Sequence, residues 1–209
     1  MRGCCLLILL LIVVLGSAAF FADRVLADPS LGAAPAGPAH GESEAAIAVT
    51  LGAQLVAELV VQPHGVVTLS ERDLTVLAQA HNPHPHSLRN LIARVRDGLL
   101  VVEADHPFGP FSVKPVAHIL LTLDSAATDP VVSTQLVELD VGALTLPGFL
   151  RDRMVGALAP SFTMNLLFSG SAALQLLRAN LECVVVAADG VRVGVHRPAT
   201  PPDPAVCGS

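Results

Sequence analysis

Between Cys4 and Phe21 the chain runs eighteen residues, CCLLILLLIVVLGSAAFF, without a charge. Arg2 stands before this run and Asp23-Arg24 closes it. A helix of that length rises about 27 Å, close to the ~30 Å hydrocarbon core of a bilayer. The run therefore predicts delivery to a membrane, with the remainder folding outside the cytoplasm. Two fates fit residues 1–27. They stay as a single-pass anchor, or they are a signal peptide cut after Ala27, behind Val25-Leu26-Ala27. An ordinary signal core has roughly 7–15 apolar residues, and charges in the cleavage region disfavour cutting. The anchor is the leading expectation on both counts, with secretion after cleavage as the alternative. Arg2 and the free amine favour a cytoplasmic N-terminus and an external domain, periplasmic or extracellular. Cys4 and Cys5 precede the apolar run, which disfavours a lipid-modified N-terminus.

Charge narrows the partners. Without Arg2, Asp23 and Arg24 the chain keeps 10 basic and 17 acidic residues. An acidic surface repels nucleic acid and anionic headgroups, so neither is an expected partner. Lys114 is the one lysine, and Trp and Tyr are absent. Stacking platforms for bases or sugars are therefore not expected. What remains is rich in Val, Leu and Ala. An exported domain of this kind buries more than usual or keeps apolar surface for a partner. Cys183 and Cys207 lie where a disulfide persists. One reading pairs them and staples the tail; the other makes Cys183 a small buried residue and Cys207 a free thiol.

Residues 28–43, DPSLGAAPAGPAHGES, read as a flexible Pro/Gly/Ala spacer. Ile47, Leu51, Leu55 and Leu59 then recur every four residues, with Ala48, Val56 and Val60 beside them. They predict a helix apolar round most of its circumference and covered on more than one side. Pro63-His64-Gly65 stops it. Ser70-Glu71-Arg72-Asp73 has the form of a capping box and opens a second helix over 71–80. Period two follows through Leu91, Ala93 and Val95, with Asp97-Gly98 as a hairpin turn. The stretch 111–123 alternates throughout and predicts one strand of about 43 Å, with Pro115 at an edge or bulge. Val131–Val141 is a second long strand. Leu144-Thr145-Leu146-Pro147 opens a helix over 147–158, and a short helix is expected at 171–178. Residues 181–188 and 191–196 pair across Asp189-Gly190. Residues 198–209 are a Pro-rich tail. The order predicts one α+β domain over 44–197: a long, curled, mostly antiparallel sheet packed around one or two helices, behind an N-terminal membrane segment.

Two short stretches resemble a known group. Leu69-Ser70-Glu71-Arg72-Asp73-Leu74 is similar to the helix start of YpmS-like proteins, which also carry one N-terminal membrane helix. Val137 to Pro147 resembles their strand, G-x-L-x-L-P, helix junction. The likeness covers roughly residues 66–160 and departs at Thr75 and at the His/Pro insert 81–86. Envelope proteins of the LmeA type share the layout. The resemblance implies a tubular, TULIP-like architecture with an elongated apolar groove. Applied to this chain, the groove is lined by Phe111, Val113, Ile119 and Leu121 facing Phe149 and Leu150. The implied role is non-enzymatic binding of a lipid or other apolar ligand in the cell envelope. An alternative is a structural or assembly factor using apolar surface on an envelope protein partner.

Candidate chemistry is sparse. His81, His84 and His86 share one loop, and neutral imidazoles bind zinc or copper. The interspersed prolines force extended geometry and no carboxylate or Cys lies in the loop, so a solvated turn is the competing reading and a metal or pH responder the weaker function. His118 reads as a half-exposed sheet residue. Ser169-Gly170-Ser171 and the Glu103/Asp105 pair read as capping and as a solvated edge. No Gly-x-Ser-x-Gly, His-Glu-x-x-His or phosphate loop occurs, so no catalytic residue and no cofactor are assigned.

Overall fold

The computed structural model describes residues 34–82, 84–108, 111–124, 131–142, 144–145, 148 and 178–208. The fold is α+β: the described residues include two full α-helices and a closing 3-10 turn, Pro204–Gly208, and every described ladder is antiparallel. Helix α1 spans Glu44–Val61 and α2 spans Glu71–Ala80. The strands are β1 (His64–Leu69), β2 (Arg89–Arg96), β3 (Leu99–Phe108), β4 (Phe111–Val113), β5 (Pro115–Asp124), β6 (Val131–Val141), β7 (Leu144–Thr145), β8 (Leu181–Ala187) and β9 (Gly190–His196). They form two sheets among the described residues, β1-β9-β8 and β2-β3-β5-β6-β7, with β4 added to β3. The single sheet expected from the alternation is thus divided. The closing hairpin pairs with β1, more than a hundred residues earlier, and leaves the long ladder to itself.

Local chemistry explains the joints. Asp97 and Gly98 both take positive φ, the geometry a tight hairpin between right-twisted strands demands. The stretch expected as one strand over 111–123 breaks at Lys114. Proline has no N–H to give a ladder, so Pro115 stands at the first residue of β5, which is an inner strand. Before the break, β4 folds back on β3. Leu144–Thr145 pairs with β6 just ahead of the expected helix. Of the helix expected at 147–158 only Gly148 is described, and it is helical; of the one expected at 171–178 only Arg178 is described, also helical.

The core joins both sheets to both helices. Ile47, Leu51 and Leu55 of α1, Leu74 and Leu77 of α2, and Val191, Val193 and Val195 of β9 share one buried apolar cluster with Leu91, Val102 and Ile119 of the larger sheet. Burying side chains of this size contributes roughly 1.5–3 kcal/mol each before entropy is counted.

The helix ends are held by distant chain. Ser70 and Asp73 form the expected capping box at α2. The spacer residues 34–43 do not hang free beside it. The Ala36 N–H donates to Glu71, the His40 N–H and ring donate to or share a proton with Asp73, and the Ser70 hydroxyl donates to the Pro38 carbonyl. At the other end of α1 no basic residue stands in the last turn. Arg197 supplies one, donating to the carbonyls of Leu59 and Val60. A cation on orphan carbonyls satisfies both hydrogen bonding and the helix dipole. Arg197→Ala is expected to cost about 1–3 kcal/mol, read as a lower urea midpoint, with Arg197→Lys recovering part of it.

Candidate functional site

Helix α1 buries only three of its eighteen residues, Ile47, Leu51 and Leu55. The expectation that it is covered on more than one side does not hold among the described residues. Its outer side carries Val49, Val56, Val60 and Val61, exposed by 72%, 59%, 74% and 80%. Among the described residues the other exposed large apolar side chains, Val137 and Val185, reach only 39% and 38%, so their apolar exposure concentrates on this helix. The spacing of 49, 56 and 60 places three valines on one stripe. The polar residues of α1 are partly engaged elsewhere. Thr50 donates to the carbonyls of His40 and Ala46, and Glu58 accepts the Val66 N–H. By length and composition α1 could also cross a membrane. It is, however, fastened by its inner side to the core and by Arg197 at its end.

The expected groove residues divide. Ile119 and Leu121 are buried in the core, and Val113 is half-buried. The side chain of Phe111, and Phe149 and Leu150, lie outside the described residues. The facing pair that defines a channel is therefore outside them as well.

The loop histidines do not converge. His81 lies 3.1 Å from Glu44, while His84 and His86 are exposed. A different histidine gathers carboxylates. His118 on β5 lies directly opposite Glu138 on β6, and its Nε2 is 3.0 Å from Asp140 Oδ2. One ligand atom from each of His118, Glu138 and Asp140 falls within 4.8 Å of the others, the one such group among the described residues. Glu138 and Asp140, two apart in a predicted strand, share a face by period alone. Their meeting with His118 depends on register, which sequence does not carry.

The buried carboxylates sit at caps and joints. Burial alone would raise the Glu71 carboxyl, yet it lies below its ordinary value. The N–H groups of Val95 and Ala36 and the charges of Arg96 and Arg94 outweigh the desolvation. Asp73 behaves alike: burial raises it, and hydrogen bonds from His40 and Ser70 bring it below the ordinary carboxylate range. Desolvation pulls Arg94 down, against the attraction of Glu71 and Glu103. Glu182 accepts from His64 at 2.8 Å and from the Asp203 N–H at 2.9 Å, which ties the tail to β8. Beside it Cys183 and Cys207 are joined as a disulfide. The clamp by residues 36–40 and the reach of Arg197 were not read from the sequence, because a spacer and a Pro-rich tail carry no periodic signal.

Comparison with protein-family models, with curated proteins and with solved structures finds no match to this chain.

Proposed function

We propose that this chain is a non-enzymatic, single-pass envelope protein whose external domain binds a lipid or another apolar ligand. The observation that carries the reading is the outer face of α1, where the exposed apolar surface gathers. Soluble monomers rarely leave such a face bare, and a contiguous apolar patch marks a binding surface. No lysine or arginine lies within α1, so the face suits acyl chains or zwitterionic lipid more than anionic headgroups. The uncharged run 4–21, which brings the domain to a bilayer, supports the same reading. So does the resemblance to YpmS-like and LmeA-like proteins, through which the long β5–β6 ladder becomes one wall of a curled, tubular sheet.

The same face also serves a second reading, an assembly factor that lays α1 on an envelope protein. One reporter separates them. The chain has no Trp, so Val60→Trp creates a single fluorophore on the outer face. In phosphatidylcholine nanodiscs its emission is expected to shift to the blue and to be quenched by brominated acyl chains. Val56→Glu introduced with it is expected to return the emission to that of water. Emission insensitive to brominated lipid, with no lipid in organic extracts of the purified protein, would move the reading to a protein partner.

A further inference from the structure

We propose that His118, Glu138 and Asp140 form a site for one divalent transition-metal ion, with Zn²⁺ as the best-fitting occupant. The proposal stands on β5 and β6, not on α1, and does not rest on the lipid reading.

The ladder builds the site. In the β5–β6 register His118 opposes Glu138 and Val116 opposes Asp140. Partners across an antiparallel pair point to the same side, so the imidazole and both carboxylates share one face. The register then slips: Ile119 opposes Leu136, which leaves Val137 as an extra residue beside Glu138. A bulge bends its strand and re-aims the neighbouring side chain. Here it sits at the edge of the cluster.

Distances suit a cation. Around a four-coordinate zinc with ligands at about 2.0–2.1 Å, neighbouring donor atoms lie roughly 3.3 Å apart. His118 Nε2 and Asp140 Oδ2 are 3.0 Å apart, and the third donor is within 4.8 Å. Rotation about the long Glu138 side chain closes that difference.

Charge leaves the position open. The carboxylates buried among the described residues, Glu71, Asp73, Glu103 and Glu182, each accept from a cation, an imidazole or a backbone N–H. The nearby ammonium of Lys114 is held by Glu103 and Asp105. Among the described residues no lysine or arginine pairs with Glu138 or Asp140; His118 contacts Asp140, and Val116 and Thr145 stand opposite Asp140 in the ladder. Asp140 Oδ1 is buried and has no hydrogen-bond partner. A buried acceptor without a donor is costly, and the cost ends when a cation takes the oxygen. Val101 and Val116, both fully buried, flank His118 and Asp140 across the sheet and supply the apolar surround that strengthens metal–ligand attraction. One nitrogen and two carboxylates favour zinc over the all-oxygen cations calcium and magnesium, and three protein ligands leave a fourth position for water or an anionic group.

The test uses the full chain in detergent micelles, stripped with EDTA and titrated with ZnCl₂ by calorimetry. One equivalent of Zn²⁺ is expected to bind. Glu138→Gln, at a side chain with no hydrogen bond among the described residues, and His118→Gln are each expected to weaken it at least about tenfold. The loop variant His84→Asn/His86→Asn is expected to leave it unchanged. A hundredfold excess over the dissociation constant is expected to raise the melting midpoint by about 5–10 °C. Co²⁺ in place of Zn²⁺ should give visible absorption bands that Glu138→Gln alters. Absence of binding, binding that survives both ladder variants, or binding lost with the loop histidines would each overturn the proposal.

Discussion

Asp73→Ala is expected to cost about 3–5 kcal/mol of stability, because removing one side chain strands several donors. The carboxylate is fully buried. Its Oδ2 accepts the Ser70 N–H at 3.0 Å and pairs with the His40 ring at 2.6 Å, and the Ser70 hydroxyl, which it shares with the Pro38 carbonyl, lies 2.8 Å away. Its Oδ1 accepts the His40 N–H at 2.9 Å. Alanine leaves two backbone N–H groups without an acceptor at the point where the N-terminal spacer meets α2. Urea unfolding followed by circular dichroism measures the loss. A value below ~1 kcal/mol would show that water replaces the carboxylate. The same site sets an acid limit. Asp73 and Glu71 are held below their ordinary values of 3.8 and 4.5, so the unfolded chain takes up protons before the folded one does. Their contribution is present above those ordinary values. It drains as pH falls from about 4.5 through the lower folded values. Asp73→Ala should flatten that acid slope.

Loss of the Cys183–Cys207 bond is expected to cost about 3 kcal/mol, the entropy of a loop closed across 24 residues. Cys183→Ser/Cys207→Ser and reductant acting on the parent chain should lower the melting temperature alike. Gly194, opposite Cys183 on β9, belongs to the same device, since a Cβ there would run into the Cys183 sulfur. Reduction also loosens the tail whose Asp203 N–H serves the buried Glu182. An unchanged melt under full reduction would mean that the tail is held by that hydrogen bond and by packing alone.

These two joints show where sequence reading reached and where it stopped. α1, α2 with its capping box, the Asp97-Gly98 hairpin and the closing hairpin were legible, because each announces itself within a dozen residues by period, cap or turn. Splitting of the 111–123 stretch was half legible. Pro115 marked the place, but alternation on both sides argued for continuity. The pairing of β1 with β9 has no local signature, and neither does the reach of Arg197 to the end of α1. The His118 group needed a register and a bulge, and both are settled by packing across strands. Apolar periodicity marked α1 as a helix, but it could not tell a covered side from a bare one. Val56 and Leu55 are alike in composition and opposite in exposure.

The clamp on residues 34–43 has a mechanical consequence. Fourteen residues, 22–35, separate the end of the apolar run from Ala36, whose N–H is held by Glu71 of α2. A chain of that length spans at most about 50 Å fully extended and about 20 Å as a flexible coil. In the anchored form proposed above, the domain is leashed within about 50 Å of the bilayer. A leash that short holds α1 at an effective concentration in the millimolar range at the lipid surface. A face too weak to bring a free domain to a membrane can then stay in contact with it, and lengthening the leash by inserted Gly-Ser repeats would dilute that contact without altering a residue of the fold.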